Sequence, residues 1–152
     1  METATETLEQ DNAGNENTDA QNADSERKLK MLCEAADEMK AHDITILDVR
    51  GQTIVADFFV ICDGTSVTHI KSIGEGVQDR MRERASLRAK PEGDALSFWM
   101  ILDYSDVILH VFDETTREFY DLERLWADAK VSKWESPAAQ GAATAPTEST
   151  PE

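Results

Sequence analysis

The 152-residue chain predicts an α/β fold of the α+β kind, a mixed β-sheet of about five strands with helices packed on it. Three observations carry that prediction. The run Phe58, Phe59, Val60, Ile61 and Cys62 is continuously apolar, as expected of a strand covered on both faces. Amphipathic helical patterns lie on either side of it and of the strand before it, and two further β-rich runs follow at hairpin spacing. Helices interleaved with strands in this way pack as layers around one core.

Ser25 is a plausible N-cap for the first helix, in which Leu29, Leu32, Cys33, Ala36 and Met39 recur on one face until about Ala41. Ile44, Ile46, Leu47 and Val49 form strand one, stopped by Arg50 and Gly51. Phe58 to Cys62 is strand two, central in the sheet and ended by Asp63 and Gly64. Thr65 or Ser66 caps the next helix, whose stripe of Val67, Ile70, Ile73, Val77 and Met81 reaches Ala85. Gly74 and Gly76 interrupt good helix formers there, at a cost of about 1 kcal/mol each relative to Ala, and suit a close approach to the sheet. Leu87 to Lys90 is a short edge strand before a turn at Pro91 to Gly93. Phe98 to Asp103 and Val107 to Phe112 pair antiparallel across the three-residue loop Tyr104, Ser105 and Asp106. That loop calls for a positive φ, and a serine there instead of glycine costs about 1 kcal/mol. Glu114 to Tyr120 and Asp121 to Lys130 are two short helices in which Phe119, Leu122, Leu125 and Trp126 share helical spacing.

Composition places this fold between two tails. Residues 1–24 carry seven acids, no Lys or Arg and no aromatic, too little apolar surface to offset chain entropy, so disorder is expected. Residues 136–152 are rich in Ala, Thr, Pro and Ser and read as a second disordered tail. One domain, 25–135, is left between them. Removing the nine acids of the tails from the net charge of −16 leaves −7 on the domain. A surface of that sign repels a phosphate backbone and suits a basic protein partner. With no apolar run of membrane-spanning length and no leader pattern, the expected location is the cytoplasm.

No complete catalytic set emerges. Gly64, Thr65 and Ser66 between a strand and a helix could attract an anion, but lack the glycine and lysine spacing of a phosphate loop, and a plain turn with a helix cap accounts for them. A nucleotide-binding or nucleotidyltransferase-like enzyme is the alternative function; it would need two carboxylates one residue apart, and only Glu75, Asp79 and Glu83 follow, spaced by four along one helix face. Asp103 and Asp106 could hold a cation or simply be solvated turn residues. Ser66, His110 and Asp103 make a triad only on paper. His42, His69 and His110 are scattered and Cys33 and Cys62 sit in apolar surroundings, so no metal motif, disulfide or cofactor is expected. Arg80, Arg82, Arg84, Arg88 and Lys90 are interleaved with acids and read as an ion-paired face, with ribosomal RNA contact as a minor second role. Strand alternation turns Trp99, Ile101 and Asp103 to the face opposite Phe98, Met100 and Leu102. Trp99 is therefore either an interface anchor or a core residue under the terminal helix with Trp126.

Three ordered blocks together resemble the Iojap-like ribosomal silencing factors: Leu47 to Gly51 with Ala56 to Ser66, Glu92 and Gly93 with Trp99 to Phe112, and Arg117 to Trp126. The resemblance implies a nucleotidyltransferase-like fold without the metal carboxylates, and no enzymatic activity. It further implies a translation repressor, a monomer or homodimer. Such a protein docks on the large ribosomal subunit through the ribosomal protein conventionally numbered fourteen and blocks joining of the small subunit. By position it assigns partner binding to Trp99, Asp103, Tyr104, Asp106 and His110. Ser105 stands where relatives usually carry glycine. A third possibility, a scaffold whose acidic tails hold basic partners, falls outside the resemblance.

Overall fold

The computed structural model describes residues 2–135, with side chains from Asp19 onward. Helix α1 (Glu2–Glu38) leads into β1 (His42–Asp48) and β2 (Phe58–Gly64), followed by α2 (Val67–Ala85), β3 (Lys90–Asp94), β4 (Trp99–Asp103), β5 (Val107–Asp113), α3 (Glu114–Tyr120), α4 (Leu122–Leu125) and β6 (Lys130–Lys133). The six strands form one sheet in the order β3-β4-β5-β2-β1-β6. β2 and β5 run parallel at its centre and the other neighbours are antiparallel. Every residue of β2 is buried, as its unbroken apolar run requires.

Strand alternation sorts the side chains into two layers. On one face Phe58, Val60, Cys62, Val107, Leu109 and Val111 pack under Leu32, Ala36, Ile70, Ile73 and Val77 of α1 and α2. On the other, Phe59, Ile61, Ile108 and Phe112 pack with Leu47 and Val49 beneath Leu122, Trp126 and Ala129. Cys33 and Cys62 are buried, unpaired thiols of the first layer, and burial pushes the Cys62 pKa up to about 12.

Ser66 caps α2 as expected, accepting from the His69 amide. The two helix glycines serve packing: a Cβ on Gly74 would lie 2.6 Å from Met100 Cε, and one on Gly76 2.3 Å from Met39 Sδ. Glycine therefore seats α2 against β4 on one side and α1 on the other.

Three expectations are corrected. The first helix does not begin at Ser25; no proline breaks the chain upstream, α1 runs on from Glu2, and Ser25 is its first buried residue among those described. The edge strand is Lys90–Asp94 rather than Leu87 to Lys90, so Pro91 and Gly93 lie inside it; an edge strand tolerates a proline, whose missing N–H can face solvent. The segment from Asp121 to Lys130 is not one helix: α4 stops at Leu125, and a sixth strand then pairs with β1. β6 escaped notice because Lys130 to Lys133 is exposed along its length, and strand pattern is legible only where one face is buried. The tail 136–152 lies outside the described residues. Among those described, no helix is long and apolar enough to cross a membrane.

Candidate functional site: an aromatic face on the sheet

α3 begins at a conventional cap, where Asp113 accepts the Thr116 amide at 2.9 Å, and ends at Asp121, whose φ of 47° breaks it from α4. The break decides which side chains reach solvent. On its two sides Phe119 and Leu125 are 79% and 72% exposed. Tyr120, half exposed, turns back over the sheet and packs on Trp99 with ring centroids 4.5 Å apart. Trp99 lies 4.9 Å from the fully buried Phe112, its partner in register on β5. The Trp99 indole donates to His110 Nδ1 at 3.1 Å. His110 in turn meets Phe59 edge-on at 5.5 Å, and Phe59 meets Trp126 at 5.3 Å. Phe119 stands edge-on to Tyr120 at 5.1 Å, beside a shallow groove of about 510 Å³ that Glu118, Asp121, Arg124 and Leu125 also line.

An aromatic column therefore rises from the core to the surface. Its lower members are fixed by packing, and the upper rings lose little freedom if a partner covers them. Clustered exposed apolar groups with a polar rim mark interaction surfaces. Burial lowers the His110 pKa to about 4, which keeps the ring neutral and its Nδ1 free to accept the indole hydrogen.

The five residues assigned by resemblance are not one surface. Trp99 and His110 lie on the aromatic face, Trp99 half-buried and His110 buried beneath it. Tyr104 faces the opposite layer at 4% exposure, away from the face that the resemblance assigns to partner binding; burial drives its phenol pKa up to about 12. Asp106 is tied to α1: Lys28 pairs with its carboxylate, and the Ser25 hydroxyl lies 2.7 Å from it and 2.6 Å from Asp57, placed to donate to either. These contacts hold the Asp106 pKa below the usual range despite burial. Asp103 accepts the Ser105 amide at 2.7 Å, where Ser105 takes the positive φ expected of it, 76°. Asp103 and Asp106 bond to different partners while bordering the same cavity.

The paper triad is not assembled, since Ser66 caps α2 while His110 is held by Trp99. The Gly64 to Ser66 turn is likewise occupied: the Thr65 amide donates to His69 Nδ1 at 3.0 Å. Arg80 and Arg84 pair with Glu38, and Arg82 with Asp79, the ion-paired face expected. Phe119, Tyr120 and Leu125 are the members sequence reasoning missed. Phe119 beside Tyr120 was the available sign, because adjacent helix positions do not face the same side.

The profile of the family described as "Ribosomal silencing factor during starvation" matches residues 22–152. The chain belongs to this family. A ribosomal silencing factor from Bacillus subtilis is 38% identical over 104 residues, covering 68% of this chain and 88% of the relative. The mouse mitochondrial assembly of ribosomal large subunit protein 1 is 29% identical over 101 residues, 64% of this chain and 44% of its own length. A crystal structure of a protein from Chromobacterium violaceum superposes with a TM-score of 0.65 at 29% identity, covering 75% of this chain and 95% of that one. In this silencing-factor chain the aromatic column draws on all three blocks that carry the likeness, with Phe59 in the first, Trp99, His110 and Phe112 in the second, and Phe119, Tyr120 and Trp126 in the third.

Proposed function

We propose that this silencing factor acts in the cytoplasm as a non-enzymatic repressor of translation. It docks on the large ribosomal subunit through the ribosomal protein conventionally numbered fourteen, and its bulk there blocks the small subunit. The domain responsible is 25–135, flanked by the two tails. The observation that carries the reading is the column in which the half-buried Trp99 leads to the exposed Tyr120 and Phe119, anchored from behind by Phe112 and His110. Family membership and relatives named for ribosomal silencing and large-subunit assembly support a ribosomal partner.

On this reading Trp99 touches the partner, Asp103 lies near the rim, and His110, Tyr104 and Asp106 hold the docking strands in place. Glu118 and Asp121 beside the groove favour a basic partner and make association depend on salt. Sedimentation of the protein with separated ribosomal subunits tests it. The intact chain should travel with free large subunits and lower their recovery as joined ribosomes. Trp99→Ala should weaken co-sedimentation about tenfold or more, roughly 1.4 kcal/mol, with its circular dichroism unchanged. Failure of the intact chain to sediment with large subunits at moderate salt would sink the proposal.

A further inference from the structure

The carboxyl ends of the parallel strands β2 and β5, where open α/β sheets tend to hold ligands, border a cavity of about 680 Å³. Carboxylates from separate elements line it: Asp43 from β1, Asp63 from β2, Glu114 and Glu118 from α3, and Glu123 from α4. A smaller adjoining cavity of about 310 Å³ shares Asp63 and Glu114 with it.

Arg117 is the guanidinium in the wall, which His42 also lines, and three of its N–H donors are engaged. Nη1 donates to the Asp43 carbonyl at 2.8 Å, and Nη2 to Thr45 Oγ1 at 2.8 Å and Glu123 Oε2 at 3.3 Å. Lys133 is likewise committed to Asp43 and Thr45. Asp63 is left over. It is 8% exposed, its Oδ1 has no hydrogen-bond partner among the described residues, and the nearest guanidinium nitrogen is 3.7 Å away. A buried carboxylate oxygen without a donor is rare in a folded protein and points to a missing partner. Burial raises the Asp63 pKa even with Arg117 nearby.

We propose that this cavity binds an alkylammonium group, from a lysine side chain or a free polyamine, with Asp63 as the inner carboxylate and Glu114 and Glu118 as the outer ones. The charge excludes an anion. Among the described residues no three His, Cys, Asp or Glu side chains converge as metal ligands, whereas an ammonium needs only one carboxylate at hydrogen-bond distance, Asp63, and is attracted through space by the charges of Glu114 and Glu118. The site borders the aromatic face across α3, but its test needs no ribosome, so its failure is separable from failure of the docking proposal.

The test is a nuclear magnetic resonance titration of the full chain in about 0.15 M salt, using spermidine, Nα-acetyl-lysine methylamide and, as a cation without N–H donors, tetramethylammonium. Saturable shifts of the amides of residues 63–65 and 113–118 are expected with one or both ammonium ligands and not with tetramethylammonium. Tighter binding of the lysine derivative assigns the site to a protein partner, and tighter binding of spermidine to a polyamine. Asp63→Asn should weaken binding about tenfold, the loss expected of one charge-assisted hydrogen bond. Should that variant disturb the fold, Glu118→Gln at an exposed position should weaken binding about threefold without structural change. No saturable shift with either ammonium, equal shifts with tetramethylammonium, or wild-type affinity in the folded variants overturns the proposal.

Discussion

The two faces of the sheet are built from the same alternating strands yet are covered differently. α1 and α2 lie along one face, and the side chains between them and β2 and β5 are almost all fully buried. The other face has the two short helices α3 and α4, and leaves Phe119, Tyr120 and Leu125 in contact with water. Long helices bury a full stripe of side chains. A helix of seven residues followed by one of four covers only part of the sheet and presents the rest. The closed face therefore supplies most of the stability, and the open face carries the surface available for recognition.

That division is broken or sharpened by substitution. Leu109→Ala on the closed face should cost about 2–5 kcal/mol in denaturant unfolding, whereas Phe119→Ala on the open face should stay within about 0.5 kcal/mol. Similar losses at the two positions would abolish the distinction. The next largest effect is one of pH and belongs to the open face. Because the His110 pKa is lowered to about 4 in the folded protein, the unfolded chain takes up this proton first as pH falls. Stability should therefore decline between about pH 6.5 and 4, by roughly 3 kcal/mol in total, at 1.36 kcal/mol per pH unit. Urea midpoints across that range should fall less in His110→Gln than in the parent; equal slopes would show that the imidazole is not sealed beneath Trp99. The smallest effect lies in the turn joining β4 and β5. Ser105→Gly should stabilise by about 1 kcal/mol, because glycine relieves the positive φ, and should leave ribosome co-sedimentation unchanged.

Patterns set by burial were legible in the sequence. The apolar run of β2, the stripe and Ser66 cap of α2, and the hairpin pairing of β4 with β5 all emerge where the expected periodicities put them. What escaped was set by partners distant in sequence. β6 exists because β1 offers its edge, and its exposed residues carry no pattern of their own. Tyr104 and Asp106 read as surface residues of a loop until α1 delivers Ser25 and Lys28 to that loop. The aromatic face was half visible: Trp99 could be placed on the side away from Met100 by alternation, while its stacking on Tyr120 depends on where α3 breaks.

The sequence by itself determined the layered α/β architecture, the family, and the separation of Trp99 from the Met100 and Leu102 layer, because these follow from local periodicity and ordered motifs. Only the tertiary structure decided that Tyr104 is core, that Phe119 and Leu125 are surface, and that Asp63 is a buried carboxylate without a hydrogen-bond donor on Oδ1. The reason is physical: exposure and hydrogen-bond satisfaction belong to the packing of remote segments, which no local window of residues contains.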